Sequence, residues 1–356
     1  RSADGAKGLA LQVMRELAWR SGALSIRHRT ANRDTLTVFG AHRVLSRDDP
    51  RWPYAMPTWT ISDRLFRELL QFIARHYNVV SLDDVRDALD ERRPLPARAA
   101  LITFDDGFAD VADTAMPILA RMGLPSLLFV ISGLVGSRLG TWESEWYAAL
   151  QDATDAEVAS VRARFLPATP LNLRDEAGLD ALCAQLRQLP LRERFATLET
   201  SLGRPAALAK PLMISAEQLR GLARAGCAVG AHSVTHDPLA GHPDAAGEIR
   251  DSLSQVQRLL GRDNPRVSTF SFPHGSYEPA LVEVAAAAGA ALCFTSDIGT
   301  TRAIRRSSRA RAVGRVWMGR TLGDSTGRLS ATRAAWRYFL APVARTQLDS
   351  PVDTMQ

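Results

Sequence analysis

The sequence predicts an α/β fold in which strands and helices alternate, with the strands forming a parallel sheet or closing into a barrel. Three observations carry this reading. Short apolar runs recur at residues 35–39, 78–80, 99–104, 125–131, 227–231, 268–272, 291–296 and 312–318, with helical-period segments between most of them; that rhythm makes βαβ units. Helix-start signals stand where the helices should begin, at Ser62 or Asp63, at Ser81 and at Ser215-Ala-Glu-Gln218, the last a capping box. Unusual polar residues sit at the C-terminal ends of several strands, where α/β folds place their sites.

Length and composition set the frame. A chain of 356 residues with 46% apolar and 23% charged residues is ordinary for a globular enzyme with a sizeable core. The formal net charge is +6, with arginine supplying most of the positive charge. Nothing resembles a basic stripe interleaved with aromatics, so nucleic acid is not an expected partner. The three cysteines, Cys183, Cys227 and Cys293, are widely spaced and form no CxxC pair. Cys227 and Cys293 read as buried thiols, and neither a disulfide framework nor a thiolate zinc site is expected. No apolar run reaches the roughly 18 residues of a transmembrane helix. No basic-then-apolar leader pattern is visible, and a cytoplasmic or membrane-peripheral location is the favoured expectation; the missing initiator Met fits an N-terminus trimmed of a leader.

In chain order, residues 8–20 have helical periodicity with basic residues, predicting an amphipathic helix that packs on the body or lies on a membrane surface. Residues 1–34 read as an N-terminal helical extension. A strand at 35–39 leads into Ala41-His42-Arg43-Val44, and Leu65, Phe66, Leu69, Leu70 and Ile73 make one face of the next helix. A helix is predicted over 109–122. Residues 136–212 break the rhythm with Trp142, Trp146, Tyr147 and Leu-rich charged segments, predicting a mostly helical insertion. After residue 213 the alternation resumes until about residue 318. The stretch 319–356 is Arg- and Ser-rich, with one expected helix at 330–340 and a loosely held last ten residues.

Chemistry concentrates at three strand ends. The run Leu101-Ile-Thr-Phe-Asp105-Asp106-Gly107 ends in two adjacent carboxylates. Asp is depleted in strands, and neighbouring carboxylates repel unless a cation or proton lies between them; one would bind a metal while the other stays free as a base. Asp-Asp-Gly is also good turn chemistry. The second site is His232-Ser-Val-Thr-His236, straight after an apolar strand; two imidazoles four apart on a helical turn could share one cation. The third is Phe270-Ser-Phe-Pro-His-Gly275, a tight loop able to aim a backbone N–H at an oxyanion, or simply a turn. One carboxylate with two neutral imidazoles makes a facial metal site with open positions. A spare carboxylate beside it can take a proton from the attacking water. This inventory suits hydrolysis of an amide or ester.

Thr103-Phe-Asp-Asp-Gly107 followed by His232-Ser-x-x-His236 resembles the polysaccharide deacetylase family (carbohydrate esterase family four, the NodB-homology fold), and Phe270–Gly275 is similar to its third motif. The likeness covers about residues 35–135 and 213–318. It implies a distorted (β/α) barrel of about seven strands spanning 35–318 and interrupted by the insertion. By that likeness Asp105 matches the catalytic base, while Asp106, His232 and His236 match the ligands of a divalent ion, usually zinc. The backbone N–H of His274 matches the oxyanion donor, in a loop with Phe272, Pro273 and Gly275.

The chain also departs from the family. Ser271 stands where many members carry an arginine that tunes the base. His274 stands where Tyr is usual. The late Leu-x-His that supplies the general acid is missing, because no histidine follows His274. Of the remaining histidines (28, 42, 76, 242 and 274), His42 is the first choice for the acid, since Ala-His-Arg-Val resembles the Tyr-His-Arg-Val strand end of the exopolysaccharide-associated branch. His274 is the second. Arg315, at another strand end, would bind the base or an anionic substrate, or be a surface arginine. The expected activity is metal-dependent N-deacetylation of an amino sugar in a polysaccharide or glycan precursor. The alternatives are a deformylase or O-deacetylase acting on a lipid-linked sugar, and a degenerate glycan-binding module. A lipid-linked substrate would fit the basic charge and the amphipathic N-terminus through peripheral membrane contact.

Overall fold

The computed structural model describes residues 2–203, 211–261, 267–302 and 311–344. Helices α1 (Ser2–Arg20) and α2 (Ala23–Ala31) lead into β1 (Thr35–Ala41) and β2 (Arg43–Leu45), then β3 (Thr60–Ser62), α3 (Asp63–His76), β4 (Asn78–Val79), α4 (Leu82–Leu89) and β5 (Ala99–Phe104). Next come α5 (Met116–Arg121) and β6 (Leu127–Val130), followed by four helices: α6 (Trp142–Asp152), α7 (Asp155–Phe165), α8 (Glu176–Leu186) and α9 (Leu191–Ser201). Alternation returns with α10 (Ala216–Arg224), β7 (Ala228–Ala231), α11 (Ala245–Leu260), β8 (Thr269–Ser271), α12 (Pro279–Ala287) and β9 (Leu292–Ile298). The described chain ends with β10 (Thr300–Arg302), β11 (Arg311–Trp317), α13 (Ala331–Phe339) and β12 (Val343–Ala344).

Seven strands close on themselves in the order β1-β11-β9-β8-β7-β6-β5, every neighbouring pair parallel, and β5 pairs back onto β1 from Leu36↔Ala99 to Ala41↔Phe104. The expected barrel of about seven strands is therefore present. Strands β4, β10 and β12 extend its edges, and β2 with β3 forms a separate short pair; β2, β3, β10 and β12 were not expected.

The pleat divides each barrel strand between two cores. Leu36, Val38, Ala99, Leu101, Leu127, Phe129, Leu292, Phe294 and Val313 fill the barrel. Their alternates, among them Phe39, Ala100, Ile102, Phe104, Leu128, Val130 and Cys293, pack outward against helices. A third core built on Trp142, Trp146, Leu150, Leu182, Leu186 and Leu198 joins the helices of residues 142–201.

Local chemistry explains the helix starts. Ser62, Ser81 and Ser215 each accept a backbone N–H three residues on, and Ser81 and Ser215 complete capping boxes with Asp84 and Gln218. The predicted helix at 109–122 is interrupted. Val111–Ala115 forms a π-helical turn before α5, whose first turn contains Pro117. Proline has no N–H to donate to the preceding turn, so the ladder changes step there. Helix α13 buries Ala334, Ala335, Tyr338 and Phe339 completely, although its surrounding sequence reads as a polar tail. The expectation for the last ten residues falls outside the described residues. Cys183 and Cys293 are buried, whereas Cys227 is only half-buried, with its thiol beside Ser126 Oγ at 3.5 Å. Among the described residues, no helix is long and apolar enough to cross a membrane.

Candidate active site

The site lies at the C-terminal ends of the barrel strands and is reached by following their inward-facing positions. Beyond Leu36 and Val38 come Gly40 and His42; beyond Leu101 come Thr103 and Asp105; beyond Val313 come Arg315 and Trp317. The upper interior is thus polar, while the lower is apolar. Gly40 is needed there, because a Cβ would lie 2.7 Å from the Trp317 ring.

Asp105 is 2% exposed and clasped by Arg315, which is fully buried. Arg315 Nη1 donates to Oδ1 at 2.7 Å and Nη2 to Oδ2 at 2.8 Å, in the fork geometry that suits guanidinium and carboxylate. Ser271 Oγ donates to Asp105 Oδ2 at 3.2 Å and accepts from Arg315 Nη2 at 3.0 Å. Arg315 Nε donates to the Thr295 carbonyl at 3.0 Å, and the guanidinium lies over the Trp317 ring. Burial works against the charge on Asp105, but Arg315 and then His232 hold the carboxyl below its ordinary range.

Asp106, next in sequence, faces two imidazoles instead. Its Oδ1 lies 3.4 Å from His232 Nε2 and 3.3 Å from His236 Nε2. The peptide geometry is unusual, with φ at 71° for Asp106 and 83° for Gly107. The non-glycine case carries strain of the kind found at functional sites. A Cβ on Gly107 would also meet Val130 at 2.9 Å. Burial opposes ionisation of Asp106, yet His236 and His232 keep its carboxyl well below the usual range. His236 is raised in turn: burial lowers it, and Asp106 more than reverses the effect.

These three residues fit a divalent cation. Their ligand atoms lie within 4.8 Å of one another. Asp106 Oδ1 is buried without a hydrogen-bond donor, a costly state unless a ligand meets it. His232 Nδ1 donates to the Ser271 carbonyl at 2.8 Å; a carbonyl can only accept, so Nε2 is left with its lone pair facing the site.

The helical turn expected for His232–His236 is absent. The segment is an irregular loop, with Ser233 at φ 60° and His236 at φ 70°. Its amides are satisfied elsewhere: Glu248 Oε2 on α11 accepts from Val234 and Thr235 N–H at 2.8 and 2.9 Å, and Ser233 Oγ accepts from His236 N–H at 2.9 Å. The two rings converge through these contacts, not through the period of a helix.

A cavity of about 250 Å³ opens in front of the pair. His42, Phe272 and His274 line it with Asp105, Asp106, His232 and His236. His42 sits between Trp59 and Trp317, with centroids at 4.5 and 4.9 Å. Burial lowers its proton affinity, and Asp106 and Asp105 only partly offset this. His274 has φ 56°, and its Nε2 donates to the His236 carbonyl at 3.2 Å. Pro273, Gly275 and Arg315 do not reach the cavity. Gly275 shapes the loop at φ 65°, where a Cβ would meet Ser296 at 2.5 Å. Arg315 is neither a surface arginine nor a cavity wall; it sits inside the barrel beneath Asp105. The other histidines lie away from the site: His28 is packed beneath Phe339, and His242 Nδ1 accepts from the Asp244 N–H.

Several cavity residues carried no sequence signal. Glu143 comes from α6, and Trp59 from the loop before β3. Arg43 is 3% exposed and pairs with fully buried Asp110 at 2.8 Å. A charged residue between Ala109 and Val111 is the one trace of that pair in the sequence.

Residues 92–293 match the family model for polysaccharide deacetylases. The chain belongs to the polysaccharide deacetylase family. It is accordingly a hydrolase of the carbon–nitrogen bond, a carbohydrate N-deacetylase. Solved structures share its fold. The Streptococcus pyogenes deacetylase PplD, in complex with acetate, is 15% identical and covers 86% of this chain and 99% of its own, with a TM-score of 0.54. IcaB from Ammonifex degensii is 21% identical over 86% and 97%, with a TM-score of 0.52. A de-N-acetylase from Aggregatibacter actinomycetemcomitans is 17% identical over 82% and 98%, with a TM-score of 0.51. A search of curated proteins finds no match.

Proposed function

We propose that this deacetylase is metal-dependent and removes the N-acetyl group of an amino sugar in a glycan or glycan precursor. Asp106, His232 and His236 would hold the cation, with zinc the ion best suited to one carboxylate and two imidazoles. A bound divalent ion supplies Lewis acidity toward the acyl oxygen and acidifies water. The observation that carries the reading is the divergence of two adjacent carboxylates, Asp106 among imidazoles and Asp105 clasped by Arg315.

Asp105 is held ionised and acts as the base, taking a proton from the attacking water. Its Oδ2 lies 3.9 Å from His232 Nε2, so the base and the ligand group border one space. The His274 N–H, presented by the bent Pro273–Gly275 turn, donates to the oxyanion of the tetrahedral intermediate. His42 lines the cavity and protonates the leaving amine; the proton that Asp105 takes from the attacking water recharges it, so the proton gained by the amine is the one lost by water. The amine then leaves with its sugar, and acetate follows.

Asp105→Asn keeps the shape and removes the base. Acetate release should fall at least about a hundredfold, while zinc content measured by mass spectrometry stays at the wild-type level. Turnover retained in that variant would refute the assignment of Asp105.

A further inference from the structure

Helices α6–α9 interrupt the βα alternation and contribute one wall of the cavity. Thr141, Glu143, Leu179, Cys183 and Arg187 face the same space as the Asp106, His232 and His236 side chains. The segment is anchored beside the ligand loop. Arg194 on α9 is 5% exposed and forms a two-pronged ion pair with Asp237, which immediately follows His236. Trp146 Nε1 donates to the Arg194 carbonyl at 3.2 Å. Tyr54, from the loop before β3, donates to Asp152 of α6 at 3.2 Å.

Glu143 is the unexplained group in this wall. It is 7% exposed, and neither carboxylate oxygen has a hydrogen-bond partner. Arg187 Nη2 and His274 Nε2 approach Oε1 only to 3.6 Å. Leaving a buried acceptor unmet costs stability, so such a group invites a ligand that donates. Sugar hydroxyls are donors of that kind. Met56, Trp59 and Trp317 line the same cavity and offer apolar surface for a sugar ring. The volume, about 250 Å³, lies below the roughly 300 Å³ at which pockets for drug-sized ligands begin.

We propose that helices α6–α9 make this site a pocket for one chain-terminal N-acetylated amino sugar, with Glu143 accepting hydrogen bonds from its hydroxyls. The proposal rests on the N-deacetylase reading above and narrows its substrate. A sugar in the middle of a polymer needs an exit for chain on both sides of the scissile acetamide. The wall carrying Glu143 stands against His236 and His274, with ligand atoms of the three within 4.8 Å of one another, and would close one of those exits. Glu143 is a binding and specificity residue and takes no part in the proton transfers.

Two probes separate the hydrolytic centre from the sugar pocket. An activated aryl acetate needs the hydrolytic centre but no sugar contact, and N-acetylglucosamine oligosaccharides of one, three and six units report the sugar pocket. We expect one acetyl group lost per oligosaccharide, from a chain end, with a rate that does not climb with length. Glu143→Ala should lose about tenfold or more kcat/KM on the trisaccharide beyond any loss on the aryl ester, mainly through KM. Glu143→Gln, which keeps one acceptor, should fall between. Removal of several acetyl groups per chain, or rates that rise with length, would overturn the terminal-sugar pocket. So would a wild-type enzyme that turns over the aryl ester and no oligosaccharide. Equal losses on both probes would overturn the role of Glu143. Failure on both probes by the wild type would strike the hydrolase reading itself.

Discussion

Asp105 and Asp106 are covalent neighbours with opposite surroundings, because successive residues leaving a strand face different ways. Asp105 continues the inward set of β5 and meets Arg315; Asp106, at positive φ, turns toward the imidazoles. The resemblance leads one to expect an arginine at Ser271, and it is Arg315, 210 residues along the chain from Asp105, that reaches its carboxylate. Ser271 takes a lesser part, bridging both partners. Arg315→Met would leave Asp105 buried without its counter-charge. We expect about 3 kcal/mol lost in urea unfolding and kcat down about a hundredfold. Arg315→Lys should rescue little, since an ammonium cannot make the paired fork. Wild-type stability in the Met variant would show that the pair is not structural.

At the scale of elements, the loop 232–237 brings two imidazoles together by a local geometry other than the one their spacing suggests. The spacing of His232 and His236 suggests a helical turn, yet the chain crosses positive φ twice, and the imidazoles converge because Glu248, Ser233 and the Arg194–Asp237 pair hold the loop. None of those partners is readable from the spacing. Arg194→Ala removes the clamp and leaves Asp237 largely buried and unpaired. Unfolding stability should drop by about 3 kcal/mol, and zinc retention against a chelator should weaken as His236 loses its support. Unchanged zinc affinity would mean that α9 does not brace the ligand loop. Helix α13 is a similar case: its buried face packs Tyr338 against Phe39, and Phe339 stacks on His28, although the flanking sequence is polar.

Across the whole molecule, the helices at both ends of the described chain meet in one aromatic cluster of Trp19, His28, Phe72, Tyr77 and Phe339. His28 is its member that titrates on the acid side of neutrality. Burial holds its imidazole at about 4, below the ordinary 6.5. The ring is neutral in the fold, with Nε2 donating to the His76 carbonyl at 3.1 Å and Nδ1 accepting from Asn32 at 3.1 Å. Protonation would destroy that acceptor. The folded-state value is depressed, so the contribution is complete above 6.5 and is lost as pH falls toward 4. Stability should decline across that window by at most about 1.4 kcal/mol per pH unit from this group. His28→Gln should flatten the decline in denaturant titrations between pH 7 and pH 4.5, and an unchanged slope would reject the assignment.

The sequence by itself determined the barrel class, the helix starts and the four polar residues, Asp105, Asp106, His232 and His236, that the fold brings together. These signals are local: a capping serine, a βα rhythm, and polar residues at the end of an apolar strand. Tertiary structure alone decided which carboxylate Arg315 clasps, that Ser271 bridges the two, and that Glu143 enters the cavity. Those three depend on strand parity around a closed barrel and on where an inserted set of helices docks. Such distances cross the fold, and a reading of spacing along the chain does not contain them.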